Sequence, residues 1–334
     1  MKLNSELNRD GFWQVTSTID WCEPNYTHSS YIAETWNTFS NLVYIALSIY
    51  FMYQSTRLYQ SDPQLKTRTM MRTFVSASAI IIVGIGSFLF HMTLLKEYQA
   101  LDELAMNLMA VVNIFCQLNN EDEIEADKYP RLAFLKFRGI FSSPKAGLSA
   151  IGCGALFALS LVIYGKLSDV VFETMFGLSL LVSLVLTYKN SVKSYPVPQQ
   201  YKVQQAIIRR NRLKLLGLVV FTSVFSFLVW SVDNVTCPRF EAIKLHSFWH
   251  LGTALGTYFW MILSTYVYLT GVWERNVAEL NNIKAPLVEL KWFPLPHLPT
   301  ISSDSRKQQS ILCKVNVHTV RPVIETPTSV FYRV

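Results

Sequence analysis

The feature that most constrains this chain is the sorting of its apolar residues into long uninterrupted blocks. A helix needs about 20 apolar residues to cross the roughly 30 Å hydrocarbon core of a bilayer. Blocks near that length run from Trp36 to Tyr53, Phe74 to Leu94, Leu101 to Leu118, Ala146 to Tyr164, Val170 to Tyr188, Leu213 to Val232 and Leu245 to Leu269. The 334 residues are 51% hydrophobic and only 16% charged, a balance that excludes an ordinary soluble domain. The pattern predicts an all-α membrane protein, a bundle of seven transmembrane helices, in one membrane domain with no internal repeat. Residues 1–35 precede it as a polar segment, residues 36–270 form the bundle, and residues 271–334 form a largely disordered tail.

The first 35 residues are polar and hold no short apolar core behind a basic start, so no cleavable signal peptide is expected and the first span acts as the targeting signal. The net charge of +7 is not spread as a nucleic-acid-binding surface would be. It gathers in the links after spans one, three and five and in the tail, leaving on the other side only Lys2, Arg9, Lys96, Lys166, Arg239 and Lys244. The positive-inside rule then places the N-terminus in the lumen and the C-terminus in the cytosol, as an odd number of spans requires. No nucleic acid and no obligate protein partner is expected.

Ionisable residues within spans are costly and are functional candidates by default. His246 and His250 are four apart and share one helix face, the geometry for gripping a metal ion. His91 closes span two, which runs toward the lumen, whereas span seven runs away from it, so all three imidazoles fall at one depth. Three neutral imidazoles suit zinc, with a fourth position open for water. Asp102, near that depth, reads either as a carboxylate of the site or as a charge favoured at a helix N-terminus. Ser87, one turn before His91, reads as a site residue or as a packing serine. Glu103, Glu173 and Asp233 read as interfacial or structural.

In front of the first span stands Asp20-Trp21-Cys22-Glu23-Pro24-Asn25-Tyr26, with Glu34 close behind. Calcium takes six to eight oxygen ligands, and this cluster supplies them without the spacing of an EF-hand; it also reads as plain acidic surface.

The ordered motifs DWCEPNY, YIAETWNTFSN, GSFLFHMTL, YQALDELAMN, VDNVTC and HSFWHLGTALGTY resemble those of the alkaline ceramidases, integral membrane amidases of a superfamily shared with adiponectin-type receptors. The resemblance covers roughly residues 11–270. It implies zinc on His91, His246 and His250, a catalytic role for Ser87 and Asp102, and calcium on Asp20, Glu23, Asn25, Glu34 and the Trp21 carbonyl. Of five cysteines only Cys22 and Cys237 fall in segments read as lumenal, where disulfides persist, and the resemblance implies the same pairing. Ala105 and Ser247-Phe248 depart from the family pattern, where Pro and Ala-Trp are usual; no ligand is lost, and the departures bear on the shape of the lipid pocket.

The expected function is zinc-dependent hydrolysis of ceramides to a sphingoid base and a free fatty acid, in the endoplasmic reticulum or Golgi membrane, with the choice among ceramide, phytoceramide and dihydroceramide left open by the sequence. Asp102 is expected to accept the water's proton and Ser87 to donate to the oxyanion. The calcium site is expected to clamp the N-terminal segment over the bundle without touching the reacting amide, so that zinc stays bound when calcium is removed. The competing class is a zinc-containing seven-span receptor of the adiponectin-receptor type, whose members have the opposite orientation and lack DWCEPNY.

Overall fold

Long apolar runs that bury their own backbone polar groups can only be helices in a bilayer, and helices dominate. The computed structural model describes residues 11–61, 68–120, 152, 154, 169–236, 243–279, 290–291 and 300–301. Its principal helices are α1 (Thr35–Ser40), α2 (Leu42–Ser61), α3 (Arg68–Thr93), α4 (Lys96–Leu118), α5 (Asp169–Val192), α6 (Lys202–Thr236) and α7 (Leu245–Glu279). Leu290–Lys291 and Thr300–Ile301 pair as a minimal antiparallel ladder. Among the described residues four helical stretches are long and apolar enough to cross a membrane: Arg72–Thr93, Lys96–Leu118, Glu173–Val192 and Gln199–Val235. The expected fourth span, Ala146 to Tyr164, lies outside the described residues apart from two helical positions.

Three differences from the sequence reading have local causes. The first span is broken after Ser40, where the buried Asn41 turns its side-chain amide back to the Asn37 carbonyl at 2.8 Å and its N–H to Thr38 O. Helix α6 starts at Lys202, well ahead of Leu213, and α7 continues to Glu279, past Leu269 and into the segment read as tail. Both extensions are held by polar contacts, which the apolar pattern does not register. Arg212, buried in α6, donates to Thr270 Oγ1 from Nε (3.0 Å) and Nη2 (2.6 Å) and to Lys193 O from Nη1 (2.7 Å). Its Nη2 stands 3.7 Å from Glu274 Oε2, which also accepts the Tyr195 N–H.

Helix α7 is the hub, touching α1, α2, α3, α5 and α6. Its buried Trp260, Met261, Ile262, Leu263 and Tyr266 pack with Phe51 of α2, Ile80 of α3 and Leu215 of α6. Gly252 and Gly256, four apart, lie against Ser226 and Thr222 of α6, so closely that a Cβ on Gly252 would meet Ser226 Oγ at 2.3 Å. Small residues at this spacing let membrane helices approach where lipid offers no hydrophobic drive. Leu178, Leu181 and Val185 of α5 and Phe221, Phe227 and Leu228 of α6 point outward instead, an apolar surface suited to acyl chains.

The N-terminal segment is docked on the α3–α4 turn. There Leu94, fully buried, adopts a left-handed φ of 51°, unusual for a branched apolar residue. Its carbonyl accepts the N–H groups of Thr16 (3.1 Å) and Ser17 (3.0 Å), and its side chain packs with Tyr26, Ala33 and Phe90.

Arg212→Met leaves Glu274 buried beside a neutral neighbour and is expected to cost about 3 kcal/mol, read as a lower thermal unfolding midpoint in detergent. Adding Glu274→Gln should recover part of the loss; no loss in the single variant would show that the pair does not hold the two helix extensions together.

Candidate metal centre and the acidic cluster beside it

His91 ends α3, and His246 and His250 occupy the first two turns of α7. The three rings converge, with centroid separations of 5.1 Å (His91 to His246), 4.8 Å (His91 to His250) and 4.6 Å (His246 to His250). One ligand nitrogen from each lies within 4.8 Å of the others, and all three residues are buried. Sequence depth and helix direction thus bring together the residues they were expected to bring together.

The outer nitrogens have oxygen neighbours. His91 Nδ1 is 2.5 Å from Glu34 Oε2, and His250 Nδ1 is 2.7 Å from Ser40 Oγ. Ser40 gives its own proton to Asn37 O at 2.9 Å, so it receives one from His250. Nδ1 of His250 is then the protonated nitrogen, and Nε2 keeps its lone pair for a metal. An imidazole held in this way by a partner on the far nitrogen is the usual state of a metal ligand. His246 Nδ1 stands 3.8 Å from Asp233 Oδ2. Three buried imidazoles, with one ligand nitrogen from each within 4.8 Å of the others, fit a metal ion.

Ser87 lies one turn before His91 on α3, and its side chain is in hydrogen-bonding reach of the Asp102 carboxylate on α4. Both are buried. Gly86 makes the pairing possible: a Cβ there would sit 3.1 Å from Asp102 N and 3.2 Å from Asp102 Cα. Tyr44 borders the same space. Its ring centroid is 6.5 Å from that of His250, and its hydroxyl is hydrogen-bonded to Thr253 Oγ1.

The acidic cluster is assembled too. Asn25 Nδ2 donates to Asp20 Oδ1 at 3.1 Å, and Asp20 and Glu34 are hydrogen-bonded through their side chains. Trp21 N donates to Glu34 Oε1 at 3.1 Å. Glu23 accepts the N–H groups of Trp36 (2.8 Å) and Asn37 (2.9 Å), capping α1 from outside the helix. Burial pushes Asp20 up to about 7, with the Glu34 charge adding to it, and burial likewise pushes Glu34 up to about 7. Glu23 is raised by burial against the pull of the two amides. Lys244 is the cation that Glu23 and Glu34 both feel. Crowded, half-desolvated carboxylates of this kind fit a divalent cation with oxygen preference.

The two clusters are not separate. Glu34 reaches Trp21 N of the acidic group through Oε1 and His91 Nδ1 through Oε2, a shared side chain that the sequence does not announce. Ser40 escapes a reading of the sequence because nothing local marks it. Asp233 carries a signal, an ionisable residue at the end of a span, but by sequence alone it reads as structural. Cys22 is disulfide-bonded; Cys237 lies outside the described residues.

A family model described as ceramidase matches residues 13–286. Alkaline ceramidase 3 of Mus musculus is 29% identical over 300 residues, covering 82% of this chain and 97% of that protein. An alkaline ceramidase of Saccharomyces cerevisiae is 28% identical over 278 residues, 77% of this chain and 78% of its own. The alkaline ceramidase of Drosophila melanogaster is 28% identical over 287 residues, 80% and 86% respectively.

Gly86→Ala forces backbone atoms of α3 and α4 apart by a few tenths of an ångström and is expected to cost about 1–3 kcal/mol, the range of an overpacked core; Gly86→Val should cost more. Unfolding midpoints of both variants equal to the wild type would mean that this glycine does not set the Ser87–Asp102 spacing.

Proposed function

Because this chain belongs to the ceramidase family, we propose that it hydrolyses the amide bond of ceramides at a zinc ion held by His91, His246 and His250, releasing a sphingoid base and a free fatty acid. It is an enzyme, an amidohydrolase with relatives named as alkaline ceramidases. The observation that carries the reading is the convergence of three buried histidines one helical turn from a paired serine and carboxylate. Bound zinc supplies an acidified water and a polarised amide carbonyl. Asp102 accepts the proton of the attacking water and returns it to the departing amine nitrogen. Ser87 holds the Asp102 carboxylate in the resting site and turns its hydroxyl to the oxyanion when substrate is bound. The reverse reaction, acylation of the base, uses the same groups in the opposite order.

The two hydrocarbon chains of a ceramide call for an enclosure inside the bilayer, in keeping with the apolar helices around the site. The proposal includes seven spans, a lumenal N-terminus, a cytosolic C-terminus and residence in the endoplasmic reticulum or Golgi. Calcium is assigned to Asp20, Glu23, Asn25, Glu34 and the Trp21 carbonyl, and a bridge to Cys22 is assigned to Cys237, four residues beyond Asp233, whose carbonyl oxygen lies 3.2 Å from Cys22 Sγ. The receptor alternative finds no support in the family match.

The deciding experiment is incubation of the purified protein with a panel of ceramides, with released bases identified by mass spectrometry. His91→Ala, His246→Ala and His250→Ala are each expected to lose zinc and activity together. Asp102→Asn should keep its zinc while the rate falls about 100-fold to 10,000-fold. Release of no base by the wild type, or full activity in any histidine variant, overturns the proposal.

Chelating calcium is expected to lower activity reversibly. Asp20→Asn, which removes one carboxylate without touching a histidine, should raise the calcium concentration needed for recovery by about an order of magnitude. Glu34→Gln should weaken the calcium response and zinc retention together. A calcium response identical in Asp20→Asn and wild type would count against the acidic cluster as the site.

A further inference from the structure

His246 differs from its two companions. Its Nδ1 is buried and makes no hydrogen bond among the described residues, and neither does the buried Asp233 Oδ2, 3.8 Å away. The side chains are 5% and 1% exposed, so water does not serve them. A carboxylate oxygen enclosed without a hydrogen bond is costly. Asp233 lies in the last turn of α6, where the helix dipole disfavours negative charge.

Two neighbours hold this pair in register. The Trp21 indole stacks on the His246 ring with centroids 3.7 Å apart and planes 21° from parallel. The next residue, the disulfide-bonded Cys22, has its Sγ 3.2 Å from the Asp233 carbonyl oxygen. Consecutive residues of the N-terminal segment therefore fix the plane of the histidine and the backbone of the aspartate.

We infer that Asp233 is the positioning carboxylate of His246: its Oδ2, 3.8 Å from Nδ1, takes the Nδ1–H and leaves Nε2 for a metal. It completes a set in which each imidazole has its own oxygen partner, Glu34 for His91, Ser40 for His250 and Asp233 for His246. Such a partner fixes the tautomer and raises the basicity of the ligand nitrogen. The role rests on zinc being held by the three histidines and assigns no contact between Asp233 and substrate.

The test is zinc retention by full-length protein in detergent, measured by elemental analysis after dialysis against graded concentrations of a competing chelator. Asp233→Ala is expected to release zinc at about 10-fold to 100-fold lower chelator concentration than wild type. Asp233→Asn, which keeps an acceptor oxygen, should show a smaller shift in the same direction. Excess zinc should restore hydrolysis in Asp233→Ala with KM unchanged. Where Asp233→Ala fails a thermal-unfolding check, the asparagine variant decides. Zinc retention equal to wild type in the folded variants overturns the role of Asp233 alone, and a wild type that retains no zinc overturns the zinc site beneath it as well.

Discussion

The contact between Glu34 and His91 is the joint on which this structure turns. A buried imidazole 2.5 Å from a fully enclosed carboxylate ties the end of α3 to the start of α1. The same carboxylate takes the Trp21 N–H and lies against Asp20, so the N-terminal segment, the short helix and the histidine cluster form one piece. A group shared by two clusters gives each a stake in the other. A cation bound at Glu34 would weaken its hold on a proton at His91 Nδ1, and a metal held by His91 would make such a proton more acidic. This is a direct electrostatic path, one side chain long.

Around this joint the bundle does little chemistry and much spacing. The α3–α4 approach at Gly86 and the α6–α7 approach at Gly252 and Gly256 are both made by absent side chains. The first brings Ser87 to Asp102, and the second fixes the helix that carries His246 and His250. At the opposite end of α6 and α7, Arg212, Glu274 and Thr270 clamp the same two helices through polar contacts. Both contacts set the spacing of these two helices, and α7 carries His246 and His250.

The N-terminal segment has the reverse character. Among the described residues it contains no regular helix before α1, and their order comes from where they are docked: the Leu94 carbonyl, the Glu23 cap on α1, the stack on His246 and the disulfide-bonded Cys22. Each of these is a tertiary contact. A segment so placed belongs to the site as much as the helices do.

Short-range periodicity is the part of this protein that the sequence by itself determined. Apolar blocks specify helices; the spacing of His246 and His250 puts both on one face; Ser87 falls one turn from His91; and helix direction brings three imidazoles to one level. The ends of α6 and α7 escape that reading, because their stability comes from buried polar contacts that an apolar pattern does not record. The tertiary structure alone decided which groups stand behind the ligands. Glu34 and His91 are 57 residues apart, and Ser40 and His250 are 210 apart. No local pattern links residues at such separations; helix packing does, by closing the chain on itself.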